Sequence, residues 1–186
     1  MYRVLAGFVA ALAAGPALAT GLEIAVAGEA NGTITIDLLD DVAPEHVARI
    51  AGLAEAGAYD DVVFHRVIDG FMAQTGDVEF GKQSAPDFNM SMAGRGGSDQ
   101  PDLPAEFSDT PFDRGVVGMA RSQDPNSANS QFFIMFAPAP HLNGQYTVVG
   151  QVTGGLEVLD AIKRGTGGNG AVVGEPDRMV SVTVTE

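Results

Sequence analysis

Residues 64–77, FHRVIDGFMAQTGD, set two strongly polar side chains, Arg66 and Gln74, among Phe64, Val67, Ile68, Phe71 and Met72. Side chains alternate faces along a strand, which predicts Phe64 on the face of Arg66 and Met72 on the face of Gln74. A second stretch, VVGMARSQDPNSANSQFFIMF (116–136), leads a strand ending in Met119 and Ala120 through a polar loop into Gln131, Phe132 and Phe133. A third, HLNGQYTVVGQV (141–152), puts His141, Leu142 and Tyr146 on a turn entering another strand. Together they offer a shallow apolar surface (Phe71, Met72, Ala120, Phe133, Leu142) bordered by Arg66, Gln74 and Gln131. No nucleophile accompanies it. The pattern alone therefore allows hydrogen bonding and apolar binding, or simply a barrel core with a few polar edge residues.

Other chemistries find less support. The chain has no cysteine, which removes disulfides, a thiolate nucleophile and cysteine-ligated zinc. His46, His65 and His141 lack metal-ligand spacing, and no G-x-S-x-G elbow occurs. GTGGNG (165–170) matches a dinucleotide fingerprint in letters, but it follows a helix pattern instead of a strand and reads as a loop. The carboxylates are scattered through turns, without an evident acid/base couple. No cofactor is expected. A formal net charge of −14 repels phosphate backbones and argues against nucleic-acid binding.

The elements that must position these residues are mostly strands. The first twenty residues, with Arg3, an apolar run from Val4 to Ala14 and small residues at Ala17 and Ala19, read as a signal peptide (1–19) cut after Ala19. The run is shorter than the ~20 residues of a spanning helix, so no membrane association is expected after cleavage. Its removal takes away Arg3 and no acid, which makes the remainder still more acidic. Residues 20–186 read as one domain. Strands are predicted at 22–27, 33–39, 62–68, 71–75, 115–120, 131–136, 146–152 and 178–185. Helices are predicted for APEHVARIAGLAEAG, with Pro44 in its first turn and Gly57 as its stop, and for GLEVLDAIKRG. Many short strands with two helices imply a mainly β fold, a barrel or sandwich. The stretch 76–113 shows no periodicity and is either functional or contains elements the pattern hides.

FHRVIDGFMAQTGD resembles the cyclophilin signature F-H-R-x-[IV]-x-G-F-M-x-Q-x-G-D. NSANSQFFI is similar to that family's N-S-Q-F-F-I, and LNGQYTVVGQV to its L-[ND]-G-x-x-x-V-F-G-x-V element. The motifs occur in family order, and the resemblance extends over about residues 20–186. It implies a closed eight-stranded antiparallel β-barrel capped by two α-helices, with peptidyl-prolyl cis-trans isomerase activity on its outer face. It further implies Arg66 and Gln74 as catalytic residues. Phe71, Met72, Ala120, Arg121, Gln131, Phe133, His141, Leu142 and Tyr146 would form the substrate site. The implied partners are proline-containing segments of unfolded or flexible polypeptides, with weak binding of the macrocycle cyclosporin and a monomeric state. With the leader, it implies an isomerase assisting protein folding in the periplasm or outside the cell. A proline-peptide binding module or holdase with little turnover is the rival reading.

The sequence also departs from the family pattern. Arg121 and Ser122 stand where small or amide residues are common, which puts flanking-residue preference in question. His141 replaces an aromatic rim residue, often Trp. Val149 replaces the Phe of V-F-G, and SAPDFNMSMAGRGGSD (84–99) is longer than in compact members.

Overall fold

A computed structural model describes residues 20–186, and the leader expected at 1–19 lies outside the described residues. The chain forms β1 (Gly21–Ala27), β2 (Gly32–Leu38), α1 (Pro44–Glu55), β3 (Val62–Val63), β4 (Arg66–Ile68) and β5 (Met72–Thr75). There follow β6 (Val116–Met119), β7 (Phe132–Met135), β8 (Val148–Gly154), α2 (Leu156–Ala161) and β9 (Arg178–Thr185). All nine strands join one sheet in the order β3-β9-β1-β2-β8-β6-β7-β5-β4, and every ladder is antiparallel.

This corrects the expected closed eight-stranded barrel: the sheet is a nine-stranded curled half-barrel. The cause lies in the run 62–68, which does not form a single strand. It breaks at Phe64–His65, so β3 pairs with β9 at one edge and β4 pairs with β5 at the other. The two edge strands follow one another along the chain instead of lying side by side, and no ladder can join them. The break also shifts the alternation. Val62, Phe64 and Val67 all enter the main core, so Phe64 and Arg66 lie on opposite faces, contrary to strict period two.

Both helices are shorter than their sequence patterns. In α1, Pro44 occupies the first turn, and His46, Val47, Ile50, Leu53 and Ala54 are buried at helical spacing. The helix ends at Glu55 with Ala56 as its C-cap, and Gly57 turns away with φ +65°. Its N-terminus has no local side-chain cap; instead the Glu106 carboxylate accepts the N–H groups of Glu45 (3.2 Å) and His46 (3.1 Å) and pairs with His46 Nδ1 at 2.6 Å. That bond ties the long irregular segment to the helix.

Two apolar clusters share the sheet. The larger fills the inside of the curl. The smaller lies on the outer face, built from Met72, Phe112, Phe133, Met135, Leu142 and Val148 among others. Strand β7 serves both, because Phe132 and Ile134 point inward and Phe133 and Met135 outward. Phe64 and Phe132 are core residues, with both rings nearly solvent-free.

Candidate active site

The sheet register assembles the site. Arg66 lies opposite Gln74, Gln74 opposite Phe133, and Phe133 opposite Gly118, a row across β4, β5, β7 and β6. Directly paired residues on one face have Cβ atoms about 4.5–5.5 Å apart, so the row forces a guanidinium, an amide and an aromatic ring into contact range. Gly118 completes it by omission. A Cβ there would stand 2.6 Å from both the Phe112 and Phe133 rings, which stack at 5.8 Å between centroids. Tyr146 meets Phe133 edge-on at 5.7 Å.

Around this row lies a cavity of about 150 Å³, lined by Arg66, Phe71, Met72, Gln74, Ala120, Arg121, Phe133, Leu142 and Tyr146. Its floor is apolar and fixed, since Met72, Phe133 and Leu142 are buried. Gln131 lies outside this wall, in the adjoining cavity with Gln74 and Arg121. His141, on the short 3-10 turn Pro140–Leu142, stacks on Phe71 with centroids 5.8 Å apart and touches the site through that ring.

Arg66 is clamped. Its Nε donates to the Asn169 carbonyl (3.0 Å), one terminal nitrogen to Asn169 Oδ1 (3.1 Å) and the other to Gln74 Oε1 (3.1 Å). Gln74 in turn donates to Gln131 Oε1 (2.9 Å), and Gln131 donates to the Gly96 carbonyl (2.7 Å). Every acceptor on this chain is neutral. Partial burial draws the guanidinium pKa below its usual value, yet an arginine stays protonated across the physiological range. A guanidinium has five N–H groups; three are engaged, and two remain for a ligand in the cavity.

Sequence reasoning missed the supports of this arrangement. Asn169 sits in the GTGGNG loop with φ 56°, and nothing local connects it to Arg66, 103 positions away. Asp77 is fully buried, accepting the amides of Glu79 and Phe80 through Oδ1 and those of Gly94 and Gly96 through Oδ2. One carboxylate thus fixes the irregular loop beside Gln131, and its only sequence signal was its place at the end of the first motif. His65 and Arg66 both line a shallow cavity with Gly94 and Asn169. The His65 ring is buried, with neither nitrogen hydrogen-bonded among the described residues, and burial lowers its pKa to about 4 against the opposing pull of Asp77.

The family model for cyclophilin type peptidyl-prolyl cis-trans isomerase/CLD matches residues 22–184. Over 154 residues the chain is 56% identical to a probable peptidyl-prolyl cis-trans isomerase of Brucella suis biovar 1, covering 83% of this chain and 78% of the relative. Among solved structures, a cyclophilin type peptidyl-prolyl cis-trans isomerase of Cryptosporidium parvum shares the fold with a TM-score of 0.74 at 23% identity, covering 91% of this chain and 99% of that one. A second Cryptosporidium parvum structure, determined in the presence of the dipeptide Ala-Pro, has a TM-score of 0.73 at 24% identity, covering 89% and 99%. Cyclophilin AquaCyp293 of Hirschia baltica gives 0.69 at 25% identity over 88% of this chain and 73% of its own.

Proposed function

The chain belongs to the cyclophilin-type peptidyl-prolyl cis-trans isomerase family and catalyses rotation about X–Pro peptide bonds; from that premise we propose that Arg66 stabilises the twisted amide while Phe133, Met72 and Leu142 hold the proline ring. The observation that carries this is the guanidinium clamped on three sides, with two N–H groups unengaged beside an apolar floor.

Rotation about an X–Pro bond is slow because resonance gives its C–N bond partial double-bond character, with a barrier of about 18–20 kcal/mol. Twisting ends that resonance and leaves a lone pair on the prolyl nitrogen. A donor aimed at this nitrogen binds the twisted state better than the planar one, which lowers the barrier without covalent chemistry. Clamping by Asn169 and Gln74 means that little reorganisation is needed at the moment of rotation. Gln74 acts through Arg66, as a positioning residue. Ala120, Arg121, Gln131 and Tyr146 border the flanking peptide, and Phe71 with His141 forms one rim.

The natural substrates are proline-containing segments of exported polypeptides, and the enzyme works as a monomer in the periplasm or outside the cell. The leader pattern and the absence of cysteine support export; a net charge of −14 opposes self-association. Cyclosporin binds the same groove weakly. A protease-coupled assay on an Ala-Pro peptide tests the activity, since uncatalysed exchange takes tens of seconds or more; a protein that bound the peptide without accelerating exchange would be a holdase. N-terminal sequencing of the protein recovered from the periplasm tests the export, and a mature chain still carrying residues 1–19 would refute it.

A further inference from the structure

We propose that the groove selects proline segments with an acidic residue close to the proline, through Arg95 and Arg121 in the cavity beside the proline pocket. The inference deepens the isomerase reading and rests on the groove assigned above.

The chain has 24 acidic residues against 10 lysines and arginines, nine of them among the described residues. Arg114, Lys163, Arg164 and Arg178 each pair with one. Arg49 and Lys82 bond to backbone carbonyls elsewhere. Of the nine among the described residues three remain, Arg66, Arg95 and Arg121; they stand together at the groove, and no ion pair among the described residues includes them. A strongly acidic protein thus keeps three arginines without a carboxylate partner at the groove.

The adjoining cavity gives that charge a place to act. It measures about 250 Å³ and shares Gln74, Ala120 and Arg121 with the proline pocket. Arg95, Ser122, Ser127 and Asn129 complete its wall with Gly94, Gly96 and Gln131, and no carboxylate lines it. Its two arginines are held differently. The Arg121 guanidinium carbon stands over the Tyr146 ring, 4.4 Å from the centroid, and the side chain donates to the carbonyls of Ser122 and Gln145 at 2.9 Å each. Those acceptors are neutral, so the charge is fixed in position but not cancelled. Arg95 is exposed, its side chain forms no hydrogen bond among the described residues, and its backbone lies between Gly94 and Gly96, both anchored on Asp77. A fixed cation shared by the two cavities and an exposed, adjustable one on the wall of the larger suit a carboxylate on the chain that runs from the proline pocket. A lysine in the same place meets two like charges.

The test uses blocked alanine peptides around a single proline, with Glu, Gln or Lys replacing one alanine at a time at the two positions before and the two after the proline. Affinity is read by titration calorimetry, and isomerisation by NMR exchange, which avoids the side-chain preferences of a coupling protease. At one or more positions Glu should exceed Lys by roughly tenfold in affinity and in kcat/KM, with Gln between them. The ratio should shrink in about 0.5 M salt, where screening reaches only a few ångströms. Arg95→Gln and Arg121→Gln should each reduce it by at least about twofold. Glu and Lys within twofold at every position, or an undiminished ratio in both variants, would overturn the inference. Because affinity is measured separately, a Glu preference in binding without any turnover would uphold the acidic selection and count against the isomerase reading alone.

Discussion

Replacing Arg66 by alanine should remove most of the catalysis while leaving the fold and much of the ground-state affinity intact. The structure sets the magnitude. The guanidinium makes three bonds to the protein, to Asn169 twice and to Gln74, and in the proposed mechanism the two N–H groups left over serve the twisted amide alone. A charged donor to a buried acceptor contributes about 1.5–3 kcal/mol, and deletion of a preorganised transition-state donor costs about 2.7–4 kcal/mol. kcat/KM should therefore fall at least about 10²-fold. The planar substrate is held mainly by Phe133, Met72 and Leu142, which the change does not touch, so peptide affinity by calorimetry should move far less than turnover. Arg66 is half-buried at the end of a three-residue strand, and its loss leaves Asn169 and Gln74 within reach of water, so the melting temperature should shift by only a few degrees. Turnover within threefold of the wild type would refute the assignment. An affinity loss as large as the loss in kcat/KM would also refute it, since Arg66 would then bind the planar and twisted amides equally.

Phe133→Ala should weaken peptide affinity and turnover together, because the ring floors the pocket in every state, and should also cost about 3–5 kcal/mol of stability as a buried aromatic deletion; unchanged affinity in calorimetry would contradict it. His65 should make folding stability fall with acidity. The unfolded imidazole takes up its proton near pH 6.5, while the buried one resists until about pH 4. Its contribution is thus intact above pH 6.5 and lost as pH falls towards 4, on the order of 3 kcal/mol. Urea midpoints should show this drop and should show less of it in His65→Asn. His141→Trp should tighten cyclosporin binding by about 10- to 100-fold, since an indole covers more apolar surface beside Phe71 and adds a firmer donor; equal affinities in a titration would remove residue 141 from the pocket.

What the sequence determined by itself is the set of residues that short-range pattern can express. Alternating runs mark most strands, and Pro44 and Gly57 bracket α1. The three motifs also hold seven of the nine residues that line the proline pocket, all but Ala120 and Arg121, because each motif is a short continuous stretch of chain. Tertiary structure decided the rest. Whether 62–68 is one strand or two depends on what each half pairs with: β9 for Val62 and Val63, β5 for Arg66 to Ile68. No local pattern encodes a partner more than a hundred residues away, and the same break moves Phe64 inward and turns the expected closed barrel into a curled half-barrel. Asn169 and Arg66 meet for a similar reason, since the loop at 168–170 approaches β4 only once the sheet has curled. The long stretch 76–113 lacked periodicity because side-chain to backbone bonds hold it, above all at Asp77, whose carboxylate gathers amides from Glu79 to Gly96. Hydrophobic periodicity reports which face of an element is buried; bonds of this kind leave no period to read.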